Sequence, residues 1–286
     1  MQLDNYGRFR LSYDTFVLGE AAIIYMATPK VACTSFKHVM ATLGGTDFAG
    51  LAASLTPAVT TDEMAIHDRA LVAVPSLLDL TEEQRAHVLA SPDFLRFCIV
   101  RNPYRRLASA WLDRMLCHSL SPLAPILKHV PFPPYVADWS YLRARFAEFV
   151  DHLYRHEAPS FSNHHWQQQH ALLMPQLLNY NLVIKLEQLA EKLPVIIAHV
   201  EKHGLTWPGL PRINETPFKY DSRLYTAASA RKVAAMYEID FSSFGYPATL
   251  DRAGPQVALP DVELVTAIQK RNRRIFYLSL KTRGLL

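Results

Sequence analysis

Two short segments combine cationic and hydroxyl side chains in the way that phosphate sites require. The first, TPKVACTSF at residues 28–36, offers Lys30 as a mobile cation and Thr34 and Ser35 as hydroxyl donors at a predicted helix start. Strand–loop–helix junctions hold phosphates because loop amides and the helix N-terminus point at the anion. The segment has no glycine, which excludes a Walker A loop, G-x-x-x-x-G-K-[ST]. The alternative is a helix start with one solvated lysine.

The second segment, RNPYRRLASAW at residues 101–111, also joins a predicted strand to a predicted helix. Asn102 and Pro103 are typical of a helix start, as N-cap and first helical residue. Arg101 closes the strand, and Ser109 follows Arg105 at i+4 spacing, facing back toward the strand end. An arginine and a hydroxyl there suit a second phosphate. Arginine at a helix N-terminus opposes the macrodipole, which favours a bound anion over the alternative, a solvated basic helix start.

The pattern of apolar runs predicts the elements that position these segments. Buried strands are expected at 21–27, 94–100 and 182–186. The predicted helices cover residues 35–43, 103–117, 141–154, 189–203 and 223–237, with a further helix after Pro175. Strands that alternate with helices predict an α/β fold with a central, mainly parallel sheet flanked by helices. We expect a single domain over residues 1–286, ending in a basic helical extension at 251–286.

Composition narrows the class of protein. Of 286 residues, 50% are hydrophobic and 20% are charged, which excludes a disordered chain. The net charge of +4 is compatible with an anionic ligand but too small to indicate nucleic acid, so no nucleic-acid partner is expected. Cys33, Cys98 and Cys117 are not in metal spacing and are expected to be reduced thiols. Without a signal peptide or an apolar run of spanning length, we predict a cytoplasmic protein.

Five stretches in order resemble PAPS-dependent sulfotransferases, where PAPS is 3′-phosphoadenosine 5′-phosphosulfate. The first two are residues 28–36 and 101–111. The others are similar to carbohydrate sulfotransferases that act on chondroitin, dermatan and the HNK-1 glycan: HW at His165–Trp166, YNLVIKLEQL at 180–189 and YEIDFSSFGY at 237–246. The resemblance covers about residues 22–247 and implies the P-loop-like sulfotransferase fold. Golgi members of this group carry a membrane anchor and disulfides, neither of which this sequence indicates.

The resemblance implies roles for individual residues. The first segment would hold the 5′-phosphosulfate of PAPS through Pro29, Lys30, Val31, Ala32, Cys33, Thr34 and Ser35. Arg101 and Ser109 would hold the 3′-phosphate, and a late loop that closes the site in these enzymes corresponds to residues 212–223, with Arg212 and Lys219 as candidates. The late loop could equally be a solvated turn. The resemblance implies no metal.

The implied reaction is in-line transfer of a sulfuryl group to a carbohydrate hydroxyl, leaving 3′-phosphoadenosine 5′-phosphate (PAP). Lys30 is the expected catalytic cation at the leaving phosphate. The acceptor hydroxyl needs a general base, for which His67 is the first candidate and His165 the second. Asp68 and Glu63 are the carboxylate alternatives.

Two other functions stay open at this point. The first is a kinase-like enzyme, which is disfavoured because the sequence lacks the P-loop glycines and an acidic magnesium-binding pattern after a strand. A non-catalytic basic module for acidic glycans or a membrane surface would use Arg101 and the basic run KRNRR at 270–274 but leaves Lys30, Thr34 and Ser35 without purpose. Residues 270–286 could make peripheral membrane contact, or form a solvated helix face.

Overall fold

The computed structural model describes residues 4–48, 50, 66–119, 125–157, 163–213, 215–254 and 256–282. Its contacts divide the chain into two compact units. The first unit is Met1–Arg101 with Gln169–Asn214, and the second is Asn102–Gln168 with Glu215–Leu286. This division does not test the prediction of a single domain, which stays a prediction.

The secondary structure follows the predicted alternation. The strands are β1 (Thr15–Leu18), β2 (Ile23–Met26), β3 (Leu95–Val100) and β4 (Leu182–Lys185). The α-helices, in chain order, are α1 (Asn5–Asp14), α2 (Cys33–Leu43), α3 (Glu82–Ala90), α4 (Pro103–Trp111), α5 (Trp139–His152), α6 (Gln169–Leu173), α7 (Pro175–Leu178), α8 (Leu189–Lys202), α9 (Ala227–Met236), α10 (Glu238–Ser243) and α11 (Val262–Thr282). Leu112–Leu116 and Leu153–Glu157 continue α4 and α5 as π-helical turns, and short 3-10 turns lie at Arg69–Leu71, Pro125–Lys128, Leu186–Gln188 and Ser222–Leu224.

The sheet belongs to the first unit and has the order β1-β2-β3-β4. β1 and β2 form an antiparallel pair in which Thr15 faces Met26. The pairs β2–β3 and β3–β4 are parallel, with Ile23 beside Leu95 and Phe97 beside Leu182. The predicted α/β class with a mainly parallel sheet is confirmed. Because parallel strands end at the same edge, the residues that follow β2 and β3 lie side by side.

The core of the first unit packs aromatic side chains between the sheet and α2. Tyr25 of β2 stacks on Phe97 of β3 with ring centroids 4.9 Å apart, and Phe36 of α2 lies 5.6 Å from Tyr25. Ile196 of α8 joins the same core. This packing fixes α2 against the strand that precedes it, and so fixes the loop between them.

The second unit is helical in its described part and has its own core. Phe146 of α5 makes edge contacts with Trp111 and Tyr225, with centroids 5.4 and 4.8 Å apart. The long helix α11 is tied to this unit, since Gln269 Nε2 donates to the carbonyl of Leu116 and Asn272 Nδ2 to that of Cys117, both at 2.7 Å. Among the described residues, no helix is long and apolar enough to cross a membrane.

Candidate functional site

The loop between β2 and α2 has a backbone shaped for an anion. Lys30 and Ala32 have φ of 70° and 59°, in the left-handed region that residues with a Cβ seldom adopt. Strained backbone of this kind clusters at ligand sites, and alternating backbone conformations turn successive N–H groups into a concave anion-binding nest. The loop therefore adopts left-handed backbone at two residues that are not glycine, which the glycine pattern of a P-loop would miss.

The start of α2 strengthens this cradle. Ala32 is the N-cap and offers no side-chain cap, and the first turn carries no acidic residue. The helix amides and the positive end of the dipole therefore favour an anion there. Thr34 and Ser35 are buried in this first turn. The Thr28 hydroxyl, two residues after β2, is fully buried with no hydrogen-bond partner. A buried hydroxyl left without a partner calls for an explanation, and an anion in the loop would accept the hydrogen bond that this hydroxyl can donate.

Arg101 connects the second segment to this loop. It follows the last residue of β3, and its Nη1 donates to the carbonyl oxygen of Lys30 at 3.2 Å. Its backbone is held by Gln169, the first residue of α6: the Arg101 N–H donates to Oε1 and Nε2 donates to the Arg101 carbonyl, each at 2.9 Å. Gln169 is fully buried. The structure thus brings Lys30, Thr34, Ser35 and Arg101 together in the first unit.

A buried ionic cluster underlies the loop, and the sequence analysis missed it. Asp14, at the end of α1, forms ion pairs with Arg10 and with Lys37 of α2, the latter at 3.3 Å. All three side chains are buried, and Arg10 Nη2 also reaches the carbonyl oxygen of Ala27 at 3.4 Å. Two cations against one carboxylate leave a net positive charge beside the loop, which favours an anionic ligand. Arg10 and Asp14 have the i,i+4 spacing of a helical ion pair, but Lys37 is distant along the chain, so no local pattern shows that it joins them.

His67 lies in the first unit, in the turn that precedes Arg69–Leu71, and is partly exposed. Its neighbour Asp68 caps that turn by accepting from the Ala70 N–H at 3.1 Å. Burial and the charge of Asp14 raise the pKa of Tyr13 to about 12, and Cys33 and Asp68 act in the same direction. The carboxylate alternative Glu63 lies outside the described residues.

The remaining predicted residues belong to other surroundings. Ser109 belongs to the second unit, where it lies partly exposed on α4. Lys219 also belongs to the second unit; it is exposed and lies outside the helices and strands. Arg212 is exposed in the first unit. His165 is a buried residue of the second unit whose Nδ1 lies 2.7 Å from Asn163 Oδ1. The roles of these residues stay predictions.

The HW stretch has a structural anchor that the sequence did not indicate. Buried Arg106 of α4 donates from Nη1 to the carbonyl of Gln167 at 2.6 Å and from Nη2 to that of His164 at 3.0 Å. Trp166 is fully buried and meets Phe149 edge-on at 5.4 Å. Trp166 therefore packs in the core, and its indole is not available to stack on a sugar. Within the described ranges, no three His, Cys, Asp or Glu side chains form a group that could hold a metal ion.

Comparison with known proteins decides the family. The model of the Sulfotransferase family matches residues 13–247, most of the chain. The chain belongs to this family. The predicted resemblance to sulfotransferases is thereby confirmed. Residues 28–36, Arg101 and Ser109 all fall inside the matched range. No solved structure matches the chain.

Named relatives refine the comparison. Carbohydrate sulfotransferase 10 of Danio rerio is 28% identical over 252 residues, covering 81% of this chain and 66% of its own length. The Homo sapiens protein of the same name is 25% identical over 247 residues, with the same coverage. Carbohydrate sulfotransferase 11 of Danio rerio is 24% identical over 238 residues, covering 78% of this chain and 64% of its own length. The chain thus matches just under two thirds of the length of these relatives. None of them supports a non-catalytic module.

The prediction of a cytoplasmic protein is wrong in the light of these relatives. They are carbohydrate sulfotransferases, the group whose Golgi members carry a membrane anchor. Family membership therefore does not support a cytoplasmic protein. The prediction rested on the absence of a leader or apolar span in the sequence, and such an absence says nothing of where an enzyme of this family works.

Proposed function

We propose that this protein transfers a sulfuryl group from PAPS to a hydroxyl of a carbohydrate acceptor, on a glycan, glycolipid or oligosaccharide. The observation that carries the proposal is the contact between Arg101 Nη1 and the Lys30 carbonyl. It joins the two predicted phosphate-binding segments at the carboxyl ends of adjacent parallel strands, where α/β sheets bind their ligands. Membership of the Sulfotransferase family and the names of the relatives support the same reaction.

The residues of the first unit fit a donor with two phosphate groups. Residues 29–35 would hold the 5′-phosphosulfate through loop amides, the hydroxyls of Thr34 and Ser35 and the Lys30 ammonium. Arg101 would hold the 3′-phosphate, and Arg212 is a candidate for closing the site. The roles expected of Ser109 and Lys219, which belong to the second unit, stay predictions. When bound, PAPS supplies the sulfuryl group and a phosphate as the leaving group.

Lys30 would supply most of the electrostatic stabilisation of the transition state. Negative charge grows on the leaving oxygen during in-line transfer, and a fixed cation there stabilises the transition state more than the ground state. The left-handed backbone at Lys30 and the hydrogen bond on its carbonyl fix the point from which its side chain extends. Such positioning is the main contribution of a protein to transfer of this type.

His67 is the proposed general base, which takes the proton of the acceptor hydroxyl. Its support is its place in the first unit, the unit of Lys30 and Arg101, and the resemblance to related enzymes that carry a histidine at about this place in the chain. His165 is the second candidate. A neutral imidazole nitrogen accepts a proton near neutral pH, which suits this role better than an exposed carboxylate such as Asp68.

The experiment that tests the proposal is a calorimetric titration of the protein with PAP, with AMP as the control ligand. We expect PAP to bind near micromolar affinity and AMP to bind far more weakly, because AMP lacks the 3′-phosphate. Turnover with labelled PAPS and a panel of glycans follows. If a folded sample binds neither nucleotide, the proposal is overturned.

A further inference from the structure

The last described helix, α11 (Val262–Thr282), belongs to a segment whose charge has a single sign. Every charged side chain of segment 264–286 is basic, and the proposed transfer of the sulfuryl group uses none of them. The cations whose exposed side chains the structure describes on α11 are Lys270, Arg271, Arg273 and Arg274. Solvated helix faces usually alternate positive and negative charges, so a face of one sign needs a separate explanation.

One side of α11 packs on the second unit. Val265 and Gln269 are buried on this side, and Gln269 Nε2 donates to the carbonyl of Leu116 at 2.7 Å. Asn272 Nδ2 donates in the same way to the carbonyl of Cys117, also at 2.7 Å. Positions 265, 269 and 272 follow the spacing of four and three that places residues on one side of a helix. These contacts fix the rotation of α11 about its axis, so its other side faces solvent.

The solvent side of α11 carries a row of exposed side chains. Lys270, Arg274 and Tyr277 follow the same spacing of four and three, and Tyr277 is 55% exposed. The row is about 10 Å long at the rise of an α-helix, so one flat surface can contact all of it. Arg271 and Arg273 flank the row, one on each side, and both are exposed. These five residues form the basic face of α11.

The charge of the basic face is not compensated within the described part of the chain. None of its cations forms an ion pair with another described residue. The Arg271 guanidinium donates to Asn272 Oδ1 at 3.3 and 3.4 Å, and Arg273 Nε donates to the carbonyl of residue 269 at 3.4 Å, so both acceptors are neutral. Lys270 and Arg274 are four residues apart, a spacing at which like charges repel and destabilise a helix. An anionic partner would offset this repulsion.

We propose that the basic face docks on a membrane surface that carries anionic lipid head groups. A row of cations on a convex helix meets many separate anions at once, as a lipid surface presents them, whereas a single small anion is held in a concave site. Clusters of about four to eight lysines and arginines on a helix bind anionic lipids electrostatically, and a tyrosine ring favours the level of the head groups. The contact is peripheral, because the side of α11 that carries Val265 is occupied by the second unit. It does not depend on the proposed transfer reaction.

The test measures co-sedimentation of the full chain with phosphatidylcholine vesicles and with vesicles that also contain phosphatidylserine. We expect binding to the phosphatidylserine vesicles alone, and weaker binding as salt is added, because salt screens exposed charges. The double variant Lys270→Gln/Arg274→Gln should lose about tenfold or more in affinity, since each basic residue near an anionic surface contributes about fivefold. The matched control is Arg143→Gln/Lys202→Gln, which removes the same charge from exposed positions of α5 and α8 and should bind like the wild type.

Equal sedimentation of the wild-type protein with both kinds of vesicle would overturn the inference. So would unchanged binding in Lys270→Gln/Arg274→Gln, or an equal loss in the two double variants, because binding would then follow net charge and not this face. Dextran sulfate, a soluble polyanion, is titrated in parallel. If the basic face is needed to bind dextran sulfate while the protein does not sediment with phosphatidylserine vesicles, the face belongs to a soluble polyanion and the membrane assignment fails.

Discussion

At the scale of single residues, the first unit concentrates unusual chemistry around one loop. Lys30 has a left-handed backbone, Thr28 has a buried hydroxyl without a partner, and Arg101 has both backbone groups held by one buried glutamine. Each feature costs stability or restricts the sequence, and each lies where the proposed phosphates would bind. Strain and orphaned polar groups persist where function demands them.

Replacing Lys30 tests the proposed cation. Lys30→Ala should lower turnover by about 10²–10³-fold, the loss typical of a missing transition-state donor. PAP binding should weaken far less. Initial rates with labelled PAPS measure the effect, with Lys192→Ala as control, because Lys192 of α8 forms a surface ion pair with exposed Glu191. Near-normal turnover in Lys30→Ala would remove Lys30 from the mechanism.

Replacing His67 tests the proposed base. His67→Ala should bind PAP normally and lose about 10²–10⁴-fold in turnover, the usual contribution of general base catalysis. His165→Ala, measured beside it, serves as the comparison. If His67→Ala is fully active and His165→Ala is not, the role of base passes to His165.

Replacing Gln169 tests how Arg101 is held. Gln169→Leu leaves the part-buried N–H and carbonyl of Arg101 without these partners, which should cost about 2 kcal/mol of unfolding free energy. Affinity for PAP should fall as well, because Arg101 loses its fixed position. Urea denaturation and calorimetry give the two values, and exposed Gln176→Ala is the control. An unchanged PAP affinity in a folded Gln169→Leu sample would show that Gln169 does not position Arg101.

At the scale of elements, helix starts decide where the candidate side chains stand. α2 begins without a side-chain cap, whereas α4 begins with Asn102, whose Oδ1 accepts from the N–H groups of Tyr104 at 3.0 Å and Arg105 at 3.4 Å. α3 and α9 carry full capping boxes at Thr81 and Thr226. Among these helices the uncapped start is that of α2, where the proposed 5′-phosphosulfate site leaves the helix amides for a ligand.

The cap of α4 gives a prediction on stability. Asn102→Ala should lower the unfolding free energy by about 1 kcal/mol, because two helix N–H groups lose their acceptor. Asn102→Asp should retain the cap and gain from the helix dipole, so its stability should equal or exceed that of the wild type. Thermal or urea denaturation measures both. Equal loss in Ala and Asp variants would contradict a capping role.

At the scale of the whole molecule, each unit has its own aromatic core. Tyr25 lies in the core of the first unit and Tyr225 in that of the second, both almost completely buried. They differ in one respect: the Tyr225 hydroxyl donates to the Tyr104 carbonyl at 2.6 Å, whereas the Tyr25 hydroxyl has no partner. Burial raises the pKa of both phenols well above the usual value, so both are neutral at physiological pH.

This difference predicts opposite effects of the same substitution. Tyr25→Phe should leave stability unchanged or raise it by about 1 kcal/mol, because it removes an unsatisfied buried hydroxyl. Tyr225→Phe should cost about 1 kcal/mol, because it removes a hydrogen bond. Urea denaturation of the two variants gives the comparison. A destabilised Tyr25→Phe would show that the Tyr25 hydroxyl has a partner in solution.

The elements that frame the loop could be predicted because their signals are local. Apolar runs placed β2, β3 and β4 to within a few residues, and Asn102-Pro103 placed the start of α4. The prediction missed β1 (Thr15–Leu18), because the apolar run at residues 21–27 was the only strand expected in this part of the chain. It also missed the change from α to π geometry after Trp111, since both geometries suit the same apolar spacing.

The sequence by itself determined the family, the α/β class and the two cationic segments, because motifs and periodicity are written in neighbouring residues. The tertiary structure alone decided that Gln169 holds Arg101, that Arg101 reaches the Lys30 carbonyl, and that Asp14 is buried with Arg10 and Lys37. These contacts join residues up to 71 positions apart. Parallel strands bring such residues to one edge, and only the packed sheet and helices determine which of them meet.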